Sequence, residues 1–174
     1  MQNGIGMVFQ EQSLIGNLSV MENIFLGRER EFKKFGIIDF KKMEVAANFQ
    51  LAKVGLEIDA RIQTFDLSFA QRQLVELAKV LTLEERTKNN LVILLDEPTS
   101  VLSEDEVQLL FKLVNQLRER AAFIFVSHRL DEVISLSDRI YVLKDGEVVD
   151  EVTAAAARPE SIQSAMVGLS LIHI

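Results

Sequence analysis

Five large apolar residues in succession, Leu91-Val92-Ile93-Leu94-Leu95, are followed at once by Asp96-Glu97-Pro98-Thr99-Ser100. A continuous apolar run with β-branched members reads as a short strand buried on both faces, as strands are in the parallel sheets of α/β proteins. An unpaired charge beside such a strand is costly, so Asp96 and Glu97 belong where the strand leaves the core and a cation can meet them. In open α/β sheets that edge is where ligands bind. Two readings stand at this point: acids that end a strand in water, or acids that serve a site.

The flanking sequence supplies the rest of an α/β chain. Residues 6–10 read as a very short strand ending in Gln10, followed by a polar loop over 11–17. Ser19 caps a short helix over 20–26, with Glu22 near its positive end. The charged run 28–34 reads as a solvated loop. Asp39 caps a helix to about residue 54, stopped by Gly55, with Phe40, Met43, Ala47, Leu51 and Val54 at helical spacing. Ser68 precedes a helix over 70–81 with Leu74, Leu77, Ala78 and Leu81 on one side, and 84–90 is charged and expected to be exposed.

After the 91–95 run and a turn, Ser103 and Glu106 form a capping box for a helix whose stripe is Val107, Leu110, Phe111, Val114 and Leu117. Residues 121–126 form another apolar strand, ending at Ser127-His128-Arg129. A short helix over 130–136 leads into 139–144, and Asp145-Gly146 signals a hairpin returning through 147–149. Pro159 opens a last helix to about residue 166. Strands alternating with helices predict βαβ crossovers and a parallel sheet, with a small antiparallel pair appended.

Composition narrows the classes. No apolar run approaches the roughly 18 residues that span a bilayer. The chain has no cysteine, so disulfides and thiolate metal sites are excluded, and its two histidines leave little for a histidine-rich metal centre. A net charge of −7 argues against a sequence-independent grip on nucleic acid. Residues 169–174, Leu-Ser-Leu-Ile-His-Ile, resemble the translation of a transposon-end adaptor and are set aside as a non-native tail, His173 with them.

Four landmarks now stand in order: Gln10 at a strand end, Leu67-Ser68-Phe69-Ala70-Gln71 opening a helix, the 91–97 run, and His128 at the next strand end. Together they resemble the nucleotide-binding domain of ATP-binding cassette (ABC) transporters, and specifically the first of the two tandem domains in sugar-importer ATPases. The resemblance covers residues 4–168. It implies a P-loop NTPase-like parallel sheet with flanking helices, a helical signature subdomain over about 11–90, a catalytic core with a C-terminal hairpin over 91–168, and a missing N-terminal part.

It also implies ATP and Mg²⁺ as cofactors. By this resemblance Gln10 touches the metal and the transmembrane partner, and Asp96 holds the Mg²⁺. Glu97 is the general base or water-orienting residue, and His128 reaches the γ-phosphate from a neighbouring strand at the same rim. Residues 67–71, with Ser68, Phe69, Ala70 and Gln71 as nucleotide-binding positions, approach the γ-phosphate held by the opposite domain. Phe69 and Ala70 replace the usual glycine pair. Ser100, Val101, Leu102 and Ser103 match the loop that contacts the partner domain, with Ser103 where many relatives have Asp. The implied partners are a second nucleotide-binding domain, transmembrane permease subunits and, indirectly, a periplasmic or extracellular sugar-binding protein, with no nucleic acid. The implied place is the cytoplasmic face of the bacterial inner membrane, as a peripheral subunit.

The phosphate-binding loop, Gly-x-x-x-x-Gly-Lys-Ser/Thr, has no match, because none of the eight glycines is followed by another five residues on. In the family this loop lies upstream of Gln10, so the chain reads as a truncated cassette that is inactive alone. Two alternatives remain. One is a cassette ATPase acting on ribosomes or in DNA repair, for which a long coiled-coil insertion or basic arm is expected and is not found. The other is a non-catalytic module lending residues 67–71 to a partner's site.

Overall fold

In the computed structural model, which describes residues 4–8, 13–85 and 91–167, the chain opens with strand β1 (Ile5–Val8). Helix α1 (Val20–Ile24) follows, shorter than its apolar pattern predicts; Ser19 and Glu22 close a reciprocal capping box at its start. The charged run after it is not a plain solvated loop. It holds a 3₁₀ turn, Glu29–Phe32, and a hairpin of β2 (Lys33–Lys34) with β3 (Ile37–Ile38). Phe32 is buried and packs against Phe25, ring centroids 4.6 Å apart and planes tilted by 59°, an apolar anchor that the surrounding charges conceal in the sequence.

Helix α2 (Phe40–Lys53) is capped by Asp39, which accepts from the Lys42 amide, and is followed by Gly55 at φ +65°. Met43, Ala47, Leu51 and Val54 are buried as expected, but Phe40 at the first turn is exposed. Helix α3 (Phe69–Leu81) packs against α1, α2 and β1. Of the charged segment expected to be exposed, 86–90 lie outside the described residues; Glu85 is exposed while accepting from Gln50 at 2.7 Å, and Glu84 is half-buried, bonded to Lys53 at 2.9 Å.

Strand β4 (Leu91–Asp96) pairs in parallel with β1, Gly6 opposite Ile93 and Val8 opposite Leu95. Leu91, Ile93 and Leu95 are buried while Val92 and Leu94 are only partly covered, so one face of the strand is less enclosed than an unbroken apolar run suggests. Helix α4 (Glu104–Leu117) starts at Ser103, whose amide and hydroxyl both donate to Glu106, and buries Val107, Leu110, Leu113, Val114 and Leu117. Strand β5 (Ala121–Val126) completes a sheet of order β1-β4-β5.

Two compact units divide within β5, Met1–Ile124 and Phe125–Ile174. The second holds helix α5 (Leu130–Leu136), the hairpin of β6 (Arg139–Lys144) with β7 (Glu147–Thr153), and helix α6 (Pro159–Val167). Asp145 and Gly146, at φ +52° and +83°, make the tight turn that the Asp-Gly pair predicts. Val133, Ile140, Val142 and Ile162 form this unit's core. No helix among the described residues is long and apolar enough to cross a membrane.

Candidate functional site

Strand β4 delivers Asp96 as its last residue and Glu97 as the first residue beyond it, both half-buried. Glu97 sits at φ +45°, in the left-handed region where a side chain costs about 1–2 kcal/mol. The turn that follows closes on itself, the Ser100 amide donating to the Glu97 carbonyl at 3.3 Å and the Leu102 amide to the Thr99 carbonyl at 3.2 Å. Pro98 and Thr99 are buried beneath it. Its carbonyl at Pro98 accepts from Gln73 Nε2 at 2.6 Å, which fixes the acidic turn to α3.

The start of α3 is a second capping box. The Gln71 amide donates to Ser68 Oγ at 3.2 Å, and the Ser68 amide donates to Gln71 Oε1 at 2.9 Å. Such a cap is worth about 1 kcal/mol, and it turns the Gln71 side chain back along the helix start. Ser68 is exposed and Phe69 and Ala70 are half-buried. Ala70 lines a mainly apolar groove with Gln73, Leu74, Leu102, Glu106 and Leu109, so one residue of the 67–71 run and one of the 100–103 loop share it. Val101 is exposed beside it, and Ser103 is spent on capping α4. Gln10 and His173 lie outside the described residues. His128 follows β5 in the second unit.

The Asp96 carboxylate offers oxygen ligands of the kind Mg²⁺ selects. No group of three or more His, Cys, Asp or Glu residues that could hold a metal by themselves occurs among the described residues. One carboxylate completed by phosphate and water suffices for Mg²⁺, so Asp96 at the end of β4 fits that ion.

The sequence model of the family described as ABC transporter matches residues 1–100. The chain belongs to the ABC transporter family. It is similar to the ribose import ATP-binding protein RbsA 1 of Streptomyces avermitilis, 42% identical over 169 residues that make up 97% of this chain and 31% of that protein. It is also similar to the D-allose import ATP-binding protein AlsA of Escherichia coli, 40% identical over 98% of this chain and 33% of that one. The chain thus spans about a third of the length of the curated relatives it matches. Among solved structures it resembles the ATP-binding cassette MJ0796 in a dimeric post-hydrolysis state bound to ADP and Pi, with 30% identity and a TM-score of 0.68 over 88% of this chain and 64% of that one. It also resembles cbiO1 of Clostridium perfringens, part of the ABC transporter complex cbiONQ, with 28% identity and a TM-score of 0.71 over 97% and 64%.

In this ABC chain the apolar stripe of α3 understates what the helix buries. Gln73, Val75, Glu76 and Val80 are buried along with Leu74, Leu77, Ala78 and Leu81. The signal available in the sequence is that Val75 and Val80 fall off the stripe, which marks a helix covered on more than one side. Glu76 accepts a hydrogen bond from the Ser13 amide, and burial raises its carboxyl above the usual range against the opposing pull of the Ser13 bonds, Lys79 and the Leu14 amide. An acid with a raised pKa binds more protons folded than unfolded, so its contribution to stability is fully present below the ordinary carboxylate pKa and falls as pH rises through the raised one. Glu76→Gln is therefore expected to flatten the decline in urea midpoint from acid toward neutral pH in this ABC chain. A slope unchanged by the substitution would rule Glu76 out as its source.

Proposed function

We propose that this chain is part of the ATP-binding and ATP-hydrolysing subunit of an importer that energises carbohydrate uptake. The observation that carries the reading is the acidic pair at the end of β4, held by Gln73 against the capped start of α3. It is supported by a sequence 42% identical to a ribose import ATP-binding protein and 41% identical to a xylose import ATP-binding protein of Photobacterium profundum.

In this reading Asp96, with Gln10, holds Mg²⁺, which when bound neutralises charge on the phosphate oxygens. Glu97 accepts a proton from the attacking water or orients it, and His128 donates a hydrogen bond to the γ-phosphate. Ser68, Phe69, Ala70 and Gln71 cover the γ-phosphate bound on a second nucleotide-binding domain. The side chains of Phe69 and Ala70 keep the backbone further from that phosphate than a glycine pair does. Ser100 to Ser103 contact the second domain. Residues 11–90 act as the helical subdomain and 91–168 as the catalytic core, with 169–174 a non-native tail. The assembly includes permease subunits and, through them, a sugar-binding protein, with this chain peripheral at the cytoplasmic membrane face.

These 174 residues contain no phosphate-loop motif, which in this family supplies the lysine and the backbone cradle for the nucleotide. The purified chain is accordingly expected to show no Mg-dependent ATP turnover, measured as phosphate release. Turnover that disappears in Glu97→Gln would overturn its inactivity by itself. The same sequence observation favours a second role, in which the chain lends residues 67–71 to the ATP site of a complete nucleotide-binding domain. Crosslinking to such a domain is expected to require ATP; equal yields with and without ATP would count against that role.

A further inference from the structure

Of the eight buried residues of α3, only Gln73 and Glu76 carry polar side chains, and at a spacing of three they lie on neighbouring turns of one helix face. Burying an amide and a carboxyl is costly unless each finds a partner. Both find backbone groups in loops outside the helix. Gln73 Nε2 donates to the carbonyl of Pro98, the residue after Glu97. The Glu76 carboxylate accepts from the amide of Ser13, in the segment that follows Gln10.

Both loop groups lie where no ladder or helix supplies a partner, so the two side chains complete an accounting that the loops cannot close alone. The Gln73 bond acts on the Pro98–Thr99 peptide, one residue beyond Glu97, whose left-handed backbone persists only where the surroundings over-determine it. The Ser13 segment is further tied down at Ile15, whose amide and carbonyl both bond Asn23. A shift at Ser13 therefore reaches a segment that is already anchored, and not a loose end. Between its two loop contacts α3 is a single unbroken stretch of α-helix.

We infer that Gln73 and Glu76 are positioning residues that tie the segment behind Gln10 and the turn behind Glu97 to one rigid helix, so that a displacement of either loop is felt at the other. That these two loops serve a nucleotide rests on the function proposed above; the mechanical link does not. Energetic coupling of this kind needs a demonstrated response at both ends, since proximity alone is only an association.

Amide hydrogen exchange of the 174-residue chain, read by mass spectrometry without nucleotide, supplies that test. Glu76→Leu is expected to speed exchange about tenfold over residues 13–18 and also over 97–102, and Gln73→Leu to do the same in both segments. Glu76→Gln keeps an acceptor oxygen for the Ser13 amide and is expected to restore exchange to within about twofold of the parent. If the leucine variants do not fold, Gln73→Glu retains the volume, removes the donor, and is expected to loosen both segments. Leu113→Ala on α4 serves as the control for general destabilisation and is expected to leave the ratio of the two segments' rates as in the parent. Loosening confined to the substituted residue's own loop, or a Glu76→Gln variant as fast as Glu76→Leu, would overturn the inference. Because no nucleotide enters the measurement, its failure would leave the ATPase reading standing, and the reverse holds as well.

Discussion

Gly6→Ala is expected to destabilise the Met1–Ile124 unit by about 3 kcal/mol, at the top of the range for overpacked cores. A β-carbon built on Gly6 would fall 2.2 Å from Val80 Cγ1, so the new methyl and the valine would occupy the same space. Val80 cannot swing aside, because a β-branched side chain in a helix has essentially one χ1 rotamer. It is buried, and the glycine is fixed in register opposite Ile93 in the sheet. Relief requires β1 and α3 to move apart, which opens space along their contact. Removing the obstacle tests the cause: Val80→Ala should recover most of the loss, giving a coupling of about 2 kcal/mol in a double-mutant cycle from urea melts. A Gly6→Ala midpoint close to that of the parent would show that the strand and helix are not held at this distance.

Asn23→Leu is expected to cost about as much, by a different route. Asn23 is fully buried, and its Oδ1 accepts from the Ile15 amide at 2.8 Å. Its Nδ2 donates to the Ile15 carbonyl at 2.9 Å and to Thr64 Oγ1 at 2.8 Å. An amide nitrogen has two hydrogens, so these two short contacts define its bonds, and the Ser19 and Leu18 carbonyls at 3.2 and 3.4 Å are secondary. Leucine keeps the branched skeleton and strands the Ile15 amide, while the Ile15 carbonyl retains the Leu18 amide and the Thr64 hydroxyl retains the Leu18 carbonyl. At about 1–3 kcal/mol for the stranded amide, and about 0.5–1.5 kcal/mol for each of the two bonds lost by groups that keep another partner, a loss of about 3 kcal/mol follows. The check is a denaturation midpoint together with the exchange rate of the Ile15 amide. A variant that lowers the midpoint while leaving Ile15 protected would mean that the loop is held by something other than Asn23.

The parts of the fold legible in the sequence are those decided within a few residues. Ser19 with Glu22, Ser68 with Gln71, Ser103 with Glu106 and Asp39 with Lys42 all close locally, and each marks a helix start where its spacing predicts one. Asp145-Gly146 is legible for the same reason. What escapes the sequence depends on which surface closes over which face. Phe32 is hidden among charges and Phe40 keeps helical spacing while facing solvent, because the pattern records a stripe and not what covers it. Glu84 reads as exposed, yet Lys53 on α2 lies beside it.

The candidate site divides in the same way. Two acids ending an apolar run are visible at a glance, and β4 ends where that run predicts. The contacts that hold them are not visible, since Gln73 meets Pro98 across a separation of 25 residues and Glu76 meets Ser13 across 63. No local rule reports such pairings.

The positive φ of Glu97 bears on how the molecule would fare under selection for robustness alone. Glycine adopts that backbone without steric penalty, and asparagine nearly so, whereas glutamate adds a charge and a crowded Cβ. A search for tougher variants would therefore drift toward the smaller residues at this position, giving up the carboxylate in exchange for an easier bend. Thermal endurance and the acidic group compete for one place in the chain, as they do wherever activity demands an awkward conformation.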